Sequence, residues 1–163
     1  MEKRDISLII SWLKDRELFF LNLNKFLSDR EKKAMLLSQL SLNQIFFSPQ
    51  QIIMAENNSG RMIGFFQLSQ IDWKDRNLVL EKYFSSGTSE NEALNATKVM
   101  LDYAFREMNM HKIMMFVPSF QKAIILSFEK NDHKPEAVLR KHIFQKGEYH
   151  DLYVFSIFTP SEK

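Results

Sequence analysis

Cysteine is absent from this 163-residue sequence, which removes disulfides, thiolate metal sites and a cysteine nucleophile together. Glycine is nearly as scarce. With four glycines in the whole chain, there is little from which to build a Gly-rich phosphate loop. Four prolines and no Pro-, Ser- or Gly-rich tract leave no visible linker, repeat or low-complexity segment, so residues 1–163 read as one domain. No apolar run approaches the roughly 20 residues that span a bilayer, and Met-Glu-Lys-Arg-Asp at the start lacks a signal peptide's apolar core. A cytoplasmic protein without a membrane partner is expected. Charge of a single sign is missing as well: 22 Lys+Arg stand against 20 Asp+Glu, interspersed, for a net +2. Phosphate-backbone binding needs a concentrated basic face, so nucleic acid is not an expected partner. The histidines, His111, His133, His142 and His150, show no H-E-x-x-H spacing, and no metal is expected.

What the chain does have is apolar bulk. It is 45% hydrophobic, with fifteen phenylalanines and nine methionines, enough to fill a soft, aromatic-rich core. Asp5 is placed to cap a first helix through Ile6, Ile9, Ile10 and Leu13. Ser28-Asp-Arg-Glu31 has the capping-box pattern that opens a second helix, through Ala34, Leu37 and Leu40. Gln51–Glu56 and Arg61–Ile71 are β-prone runs around Asn57-Asn-Ser-Gly60, a hairpin signal, and Asn77–Phe84 reads as a third strand. Ser89-Glu-Asn-Glu92 is another capping box, predicting a long helix to about Asn109 with Ala93, Ala96, Met100, Tyr103, Ala104 and Met108 inward. A buried strand (Lys112–Val117), a helix (Ser119–Lys130) and an antiparallel pair (Ala137–Gln145, Tyr149–Phe158) turning at Gly147 complete the pattern. The crossover from Asn77 to Val117 within a mostly antiparallel order implies an α/β (α+β) fold: a mixed, mostly antiparallel sheet with helices on both faces.

Ala93-Leu-Asn-Ala-Thr-Lys-Val-Met-Leu-Asp-Tyr-Ala-Phe105, followed by Met110-His-Lys-Ile113, resembles the central helix and following strand of GNAT-superfamily N-acyltransferases. The likeness is greatest to the branch holding ribosomal-protein N-terminal and sugar-nucleotide N-acetyltransferases. Gln121-Lys-Ala-Ile-Ile-Leu-Ser-Phe-Glu-Lys130 is similar to that branch's N-x-x-A-I-x-L-Y-E-K segment. Glu136-Ala-Val-Leu-Arg140, Phe144 and Gly147-Glu-Tyr-His-Asp151 are similar to its closing hairpin. Glu2–Ile6 looks like the start of the family's first helix, and the strand that usually precedes it is expected to be absent.

The resemblance implies transfer of an acetyl or acyl group from acetyl-CoA to a primary amine of a small molecule, an amino sugar or a peptide N-terminus. In that fold, orphan amides at the start of the central helix hold the pyrophosphate, and glycines let the backbone approach it. Here the family's [QR]-x-x-G-x-[GA] falls on Ser85, Thr88 and Glu90, with Gly87 one place out of register. The expected donor contacts are therefore Ser85, Ser86, Gly87, Thr88, Ser89 and Asn91, joined by Gln121 and Phe128. One reading has hydroxyls replacing the lost backbone approach, with Glu90 turned to solvent. The other has Ser89 and Glu90–Glu92 simply capping a helix whose ligand site has decayed, leaving a binding or regulatory module. Phe128 stands where many relatives carry the tyrosine that protonates the leaving thiolate. Glu81 and Tyr83, on the strand entering the loop, are the expected base and acid. A homodimer, or a partner protein at the sheet edge, is the expected assembly.

Overall fold

The computed structural model describes residues 5–14, 50–145 and 147–160. Helix α1 (Asp5–Lys14) is followed by strands β1 (Gln50–Glu56), β2 (Met62–Asp72) and β3 (Asn77–Phe84). Helix α2 (Glu90–Arg106), β4 (Lys112–Pro118), α3 (Lys122–Glu129), β5 (Ala137–Gln145) and β6 (Glu148–Phe158) complete the order. The strands form one six-stranded sheet in the order β1-β2-β3-β4-β6-β5, with β3 and β4 parallel. This is the mixed, mostly antiparallel α/β fold that the pattern predicts. The helix expected from Ser28 lies outside the described residues, as does any strand before α1.

By internal contacts the chain divides into two units: Met1–Ser69 with Glu81–Asp102, and Gln70–Leu80 with Tyr103–Lys163. In the first, six consecutive residues of β2, Ile63 to Leu68, are buried, as expected of a central strand covered on both faces. The β1–β2 hairpin turns on Asn57, whose side-chain oxygen accepts from the Ser59 and Arg61 amides, while Gly60 takes φ +79°. Gly64 is required by close approach: a Cβ there would land on the Tyr83 carbonyl oxygen and the Phe84 ring. In the second unit, β4 carries alternating buried Ile113, Met115 and Val117, and pairs antiparallel with β6 from Lys112↔Phe158 to Pro118↔Leu152. Gly147, at φ +85°, makes the β5–β6 turn.

Several boundaries differ from the sequence pattern. Asp5 is already helical, within the first turn of α1 instead of at its cap. Helix α2 stops at Arg106 because the Glu107 and Met108 amides both donate to Tyr103 O and Asn109 turns left-handed at φ +54°. Tyr103, expected to face inward, is exposed, and Thr97 takes a buried place instead. Helix α3 begins at Lys122, not Ser119, because the residues before it are spent on a turn. There, Ser119 N–H donates to Asp151 O and Gln121 N–H to Pro118 O.

Candidate active site at the end of strand β3

Alternation along β3 puts Glu81 and Tyr83 on the same face. Tyr83 is buried, and its hydroxyl donates to Glu81 Oε2 at 3.1 Å. Its ring stacks on Phe65 at 4.7 Å, and Phe65 in turn stacks with Trp12 of α1 at 6.4 Å. Aromatic packing thus fixes the phenol, and the phenol fixes the carboxylate. Burial pushes the Glu81 carboxyl up to about 7, with the hydrogen bond from Tyr83 pulling the other way. Burial, then the nearby Glu81 charge and the hydrogen bond to it, hold the Tyr83 phenol far above its ordinary range. Lys82, on the alternate face, is pushed down by burial. A carboxylate poised near neutral pH and oriented by a phenol that keeps its proton has the properties of a general base.

The loop after β3 is organised differently. Ser85 N–H donates to Ile63 O, and Thr88 N–H to Ser85 O. The Ser85 and Thr88 hydroxyls lie 2.9 Å apart, and Thr88 Oγ1 donates to Ile63 O at 2.8 Å. The capping box at α2 forms in full: Ser89 N–H and Oγ both donate to Glu92 Oε2, and Glu92 N–H donates back to Ser89 Oγ. Asn57 and Arg61 reach Glu92 from the hairpin, at 2.7 and 3.1 Å, and Arg61 also donates to Gly87 O. The hydrogen bond from Asn57, then those from Ser89 and the weaker one from Arg61, hold Glu92 down at about 2. Ser86, Gly87, Glu90 and Asn91 are exposed, so Glu90 is solvent-facing. A Cβ at Gly87 would meet only Arg61 Nη1 at an ordinary 3.6 Å, so this glycine is not there for want of space.

Gln121 and Phe128 belong to the other unit. Gln121 is the N-cap of α3 but makes no side-chain cap bond. Phe128 stacks face to face on buried Phe155 at 4.2 Å and meets His133 edge-on, so its ring has a packing role that needs no hydroxyl. In the hairpin, Asp151 accepts from Arg140 Nη1 and the Lys141 amide, holding the irregular register between Leu139 and Ile143. His150 packs edge-on against Phe120. Sequence reasoning missed Arg61, Asn57 and Gln67. The first two act across more than thirty residues of chain, and only the turn chemistry of Asn57 was visible. Gln67 carried a signal, as the lone long polar side chain in the apolar run Ile63-Gly-Phe-Phe-Gln-Leu68.

A family model for the acetyltransferase (GNAT) domain matches residues 1–154. The chain belongs to the GNAT acetyltransferase family. No curated protein matches the sequence, whereas solved structures resemble it closely in fold. A chimera of spermidine N-acetyltransferase SpeG from Vibrio cholerae and hSSAT superimposes with TM-score 0.82 at 19% identity, covering 97% of this chain and 93% of that one. The dodecameric spermidine N-acetyltransferase from Vibrio cholerae in an intermediate state gives TM-score 0.81 at 19% identity, with 97% and 90% covered. SpeG from the same organism in complex with manganese ions gives TM-score 0.77 at 20% identity, with 97% and 89% covered. Members of the GNAT family use acetyl-CoA as co-substrate. Among the described residues, no group of three His, Cys, Asp or Glu is arranged to hold a metal ion, and no helix is long and apolar enough to cross a membrane.

The residues at the loop fit a phosphate-bearing co-substrate in part. Arg61 offers an exposed guanidinium beside the exposed Ser86–Gly87 backbone. Against this, the capping box already occupies the Ser89 and Glu92 amides.

Proposed function

We propose that this GNAT domain, acting as a single cytoplasmic unit over residues 1–163, transfers an acetyl group from acetyl-CoA to a primary amine. The acceptor is a small molecule, an amino sugar or a peptide N-terminus. Family membership supports acetyl transfer, and the hydrogen-bonded pair of half-buried Glu81 and buried Tyr83 is the observation that carries the reading to this chain. In this scheme Glu81 takes the proton from the acceptor ammonium. The freed nitrogen forms the new C–N bond as the C–S bond of the thioester breaks, and the second proton that this nitrogen sheds ends on the departing thiolate. Tyr83 holds the carboxylate in place and stands as the proton donor nearest in role. Ser85, Ser86, Gly87, Thr88, Ser89 and Asn91, together with Gln121 and Phe128, form the proposed donor-binding set, with Arg61 supplying the cation.

On the acceptor, the C-terminal motifs favour the ribosomal-protein N-terminal and sugar-nucleotide branch, while the structural neighbours carry the name of a polyamine acetyltransferase. A partner or second copy is proposed at the sheet edge. Calorimetry with acetyl-CoA, followed by thiol release with amines, tests the function. Micromolar to high-micromolar binding with amine-dependent turnover is expected. No binding at millimolar acetyl-CoA would leave a binding module on a self-capped loop.

A further inference from the structure

Gln67 lies at the centre of β2, only 4% exposed, and its side-chain oxygen Oε1 is buried with no hydrogen-bond partner. A buried acceptor left without a donor is costly, and native cores retain few of them. Its surroundings explain why it is kept. The hydrogen bond from Ser85 N–H to Ile63 O fixes which residues of β2 and β3 stand opposite one another. Two steps along each strand, Phe65 and Tyr83 are stacked, as that register requires. Alternation along each strand then puts Gln67 and Glu81 on the face that carries the Phe65–Tyr83 stack, one alternate position further along β2 and β3. Within one face of the first unit the sheet therefore sets an unfilled amide oxygen, a carboxylate and the phenol that orients it.

We infer that Gln67 completes the acceptor subsite, its free side-chain carbonyl accepting an N–H from a cationic primary amine while Glu81 takes another of that amine's protons. This assignment rests on the acetyltransferase reading for its chemistry. Both groups are acceptors, so the ligand must offer at least two donors from one atom. An ammonium has three N–H bonds, whereas a hydroxyl has one and cannot serve both. After Glu81 removes one proton, the nitrogen keeps an N–H on Gln67 and has its lone pair free for the carbonyl carbon. Gln67 thus sets where the lone pair points, and it selects amines over alcohols.

The test uses the full chain with spermidine, glucosamine and trialanine as probes, first by calorimetry without acetyl-CoA and then by steady-state turnover. Gln67→Met and Gln67→Leu replace the amide with apolar groups of similar length or volume. Thermal stability is expected to hold or rise, because the unpaired acceptor is gone. Binding of the best amine is expected to weaken about tenfold or more, the loss typical of a charge-assisted hydrogen bond. The KM for that amine should rise by the same factor, with the KM for acetyl-CoA unchanged. Equal amine affinity in wild type and Gln67→Met would overturn the assignment, as would failure of all three amines to bind the wild type. If acetyl-CoA fails to bind but an amine binds in a Gln67-dependent way, the acetyltransferase reading falls and the amine subsite stands.

Discussion

The end of β3 and the loop that follows it treat polar groups in opposite ways. On β3 and the facing β2, Tyr83 and Gln67 are buried and Glu81 is half-buried; the carboxyl, bonded to Tyr83, is pushed to about 7, and the Gln67 amide oxygen is unfilled. In the loop, Glu92 collects donors from Ser89, Asn57 and Arg61 and is held down at about 2. Polar atoms that are buried and underpaired cost stability, so their presence in a packed sheet points to a use outside folding. Polar atoms that are exposed and fully paired hold the loop's shape and are accounted for by that alone. The proposed proton chemistry of this corner is therefore assigned to the strand, and the loop is first of all a helix cap.

Removing the carboxylate breaks the contrast most sharply. Glu81→Gln should lower kcat by about 10²–10⁴, the usual contribution of a positioned base, with acetyl-CoA affinity unchanged. Stability should move the other way. The folded carboxyl titrates near 7 against an ordinary value of 4.5. Its protonated form is thus favoured by folding, so stability is full below about 4.5 and falls as pH rises through about 7. Wild type should lose up to about 3 kcal/mol across that window, and the variant should lack this slope. Chemical denaturation at a series of pH values measures both. A flat wild-type profile would show that Glu81 is solvated and that the strand is no different from the loop.

Gly64→Ala probes the same site through the backbone of the neighbouring strand, β2. The added methyl meets the Tyr83 carbonyl, which is main chain and cannot swing aside. A cost of about 3 kcal/mol is expected, with loss of the Phe65–Tyr83 stack and hence of the base's orientation. Near-normal melting with full activity would mean that the tight β2–β3 approach does not position the site.

These contrasts also separate what was legible in the chain from what was not. Strand β3 was readable to the residue, because turn-forming residues bound an apolar run on both sides. The capping box Ser89–Glu92 was equally plain, since its meaning is local. The overshoots at Asn109 and Ser119 arise where periodicity continues but the backbone is captured by a turn: Asn109 is left-handed, and Ser119 donates to Asp151. Arg61 was out of reach, and Gln67 was visible only as an odd polar residue in an apolar run, for a different reason. Arg61 matters through a carboxylate 31 residues away, and Gln67 through a partner it does not have. Pattern reading finds residues that repeat; these two are defined by what stands opposite them.

The mildest test is also the one that asks whether the loop does more than cap a helix. Ser86 and Ser89 both carry hydroxyls proposed to meet the co-substrate, but their surroundings differ. Ser89 Oγ is engaged twice with Glu92, whereas Ser86 is exposed and outside that box. Ser89→Ala should cost about 1 kcal/mol, as loss of an N-cap does, and lower Tm by roughly 2–4 °C. It also frees the Glu92 amide, so acetyl-CoA affinity should hold or improve. Ser86→Ala should leave Tm unchanged and weaken acetyl-CoA binding several-fold, since one donor is lost from an exposed site. The pair is informative because the two roles predict opposite rankings. If Ser89→Ala weakens binding more than Ser86→Ala does, the capping hydroxyl itself contacts the phosphate. The loop would then rearrange on binding, and the division of labour between strand and loop would hold only for the free protein.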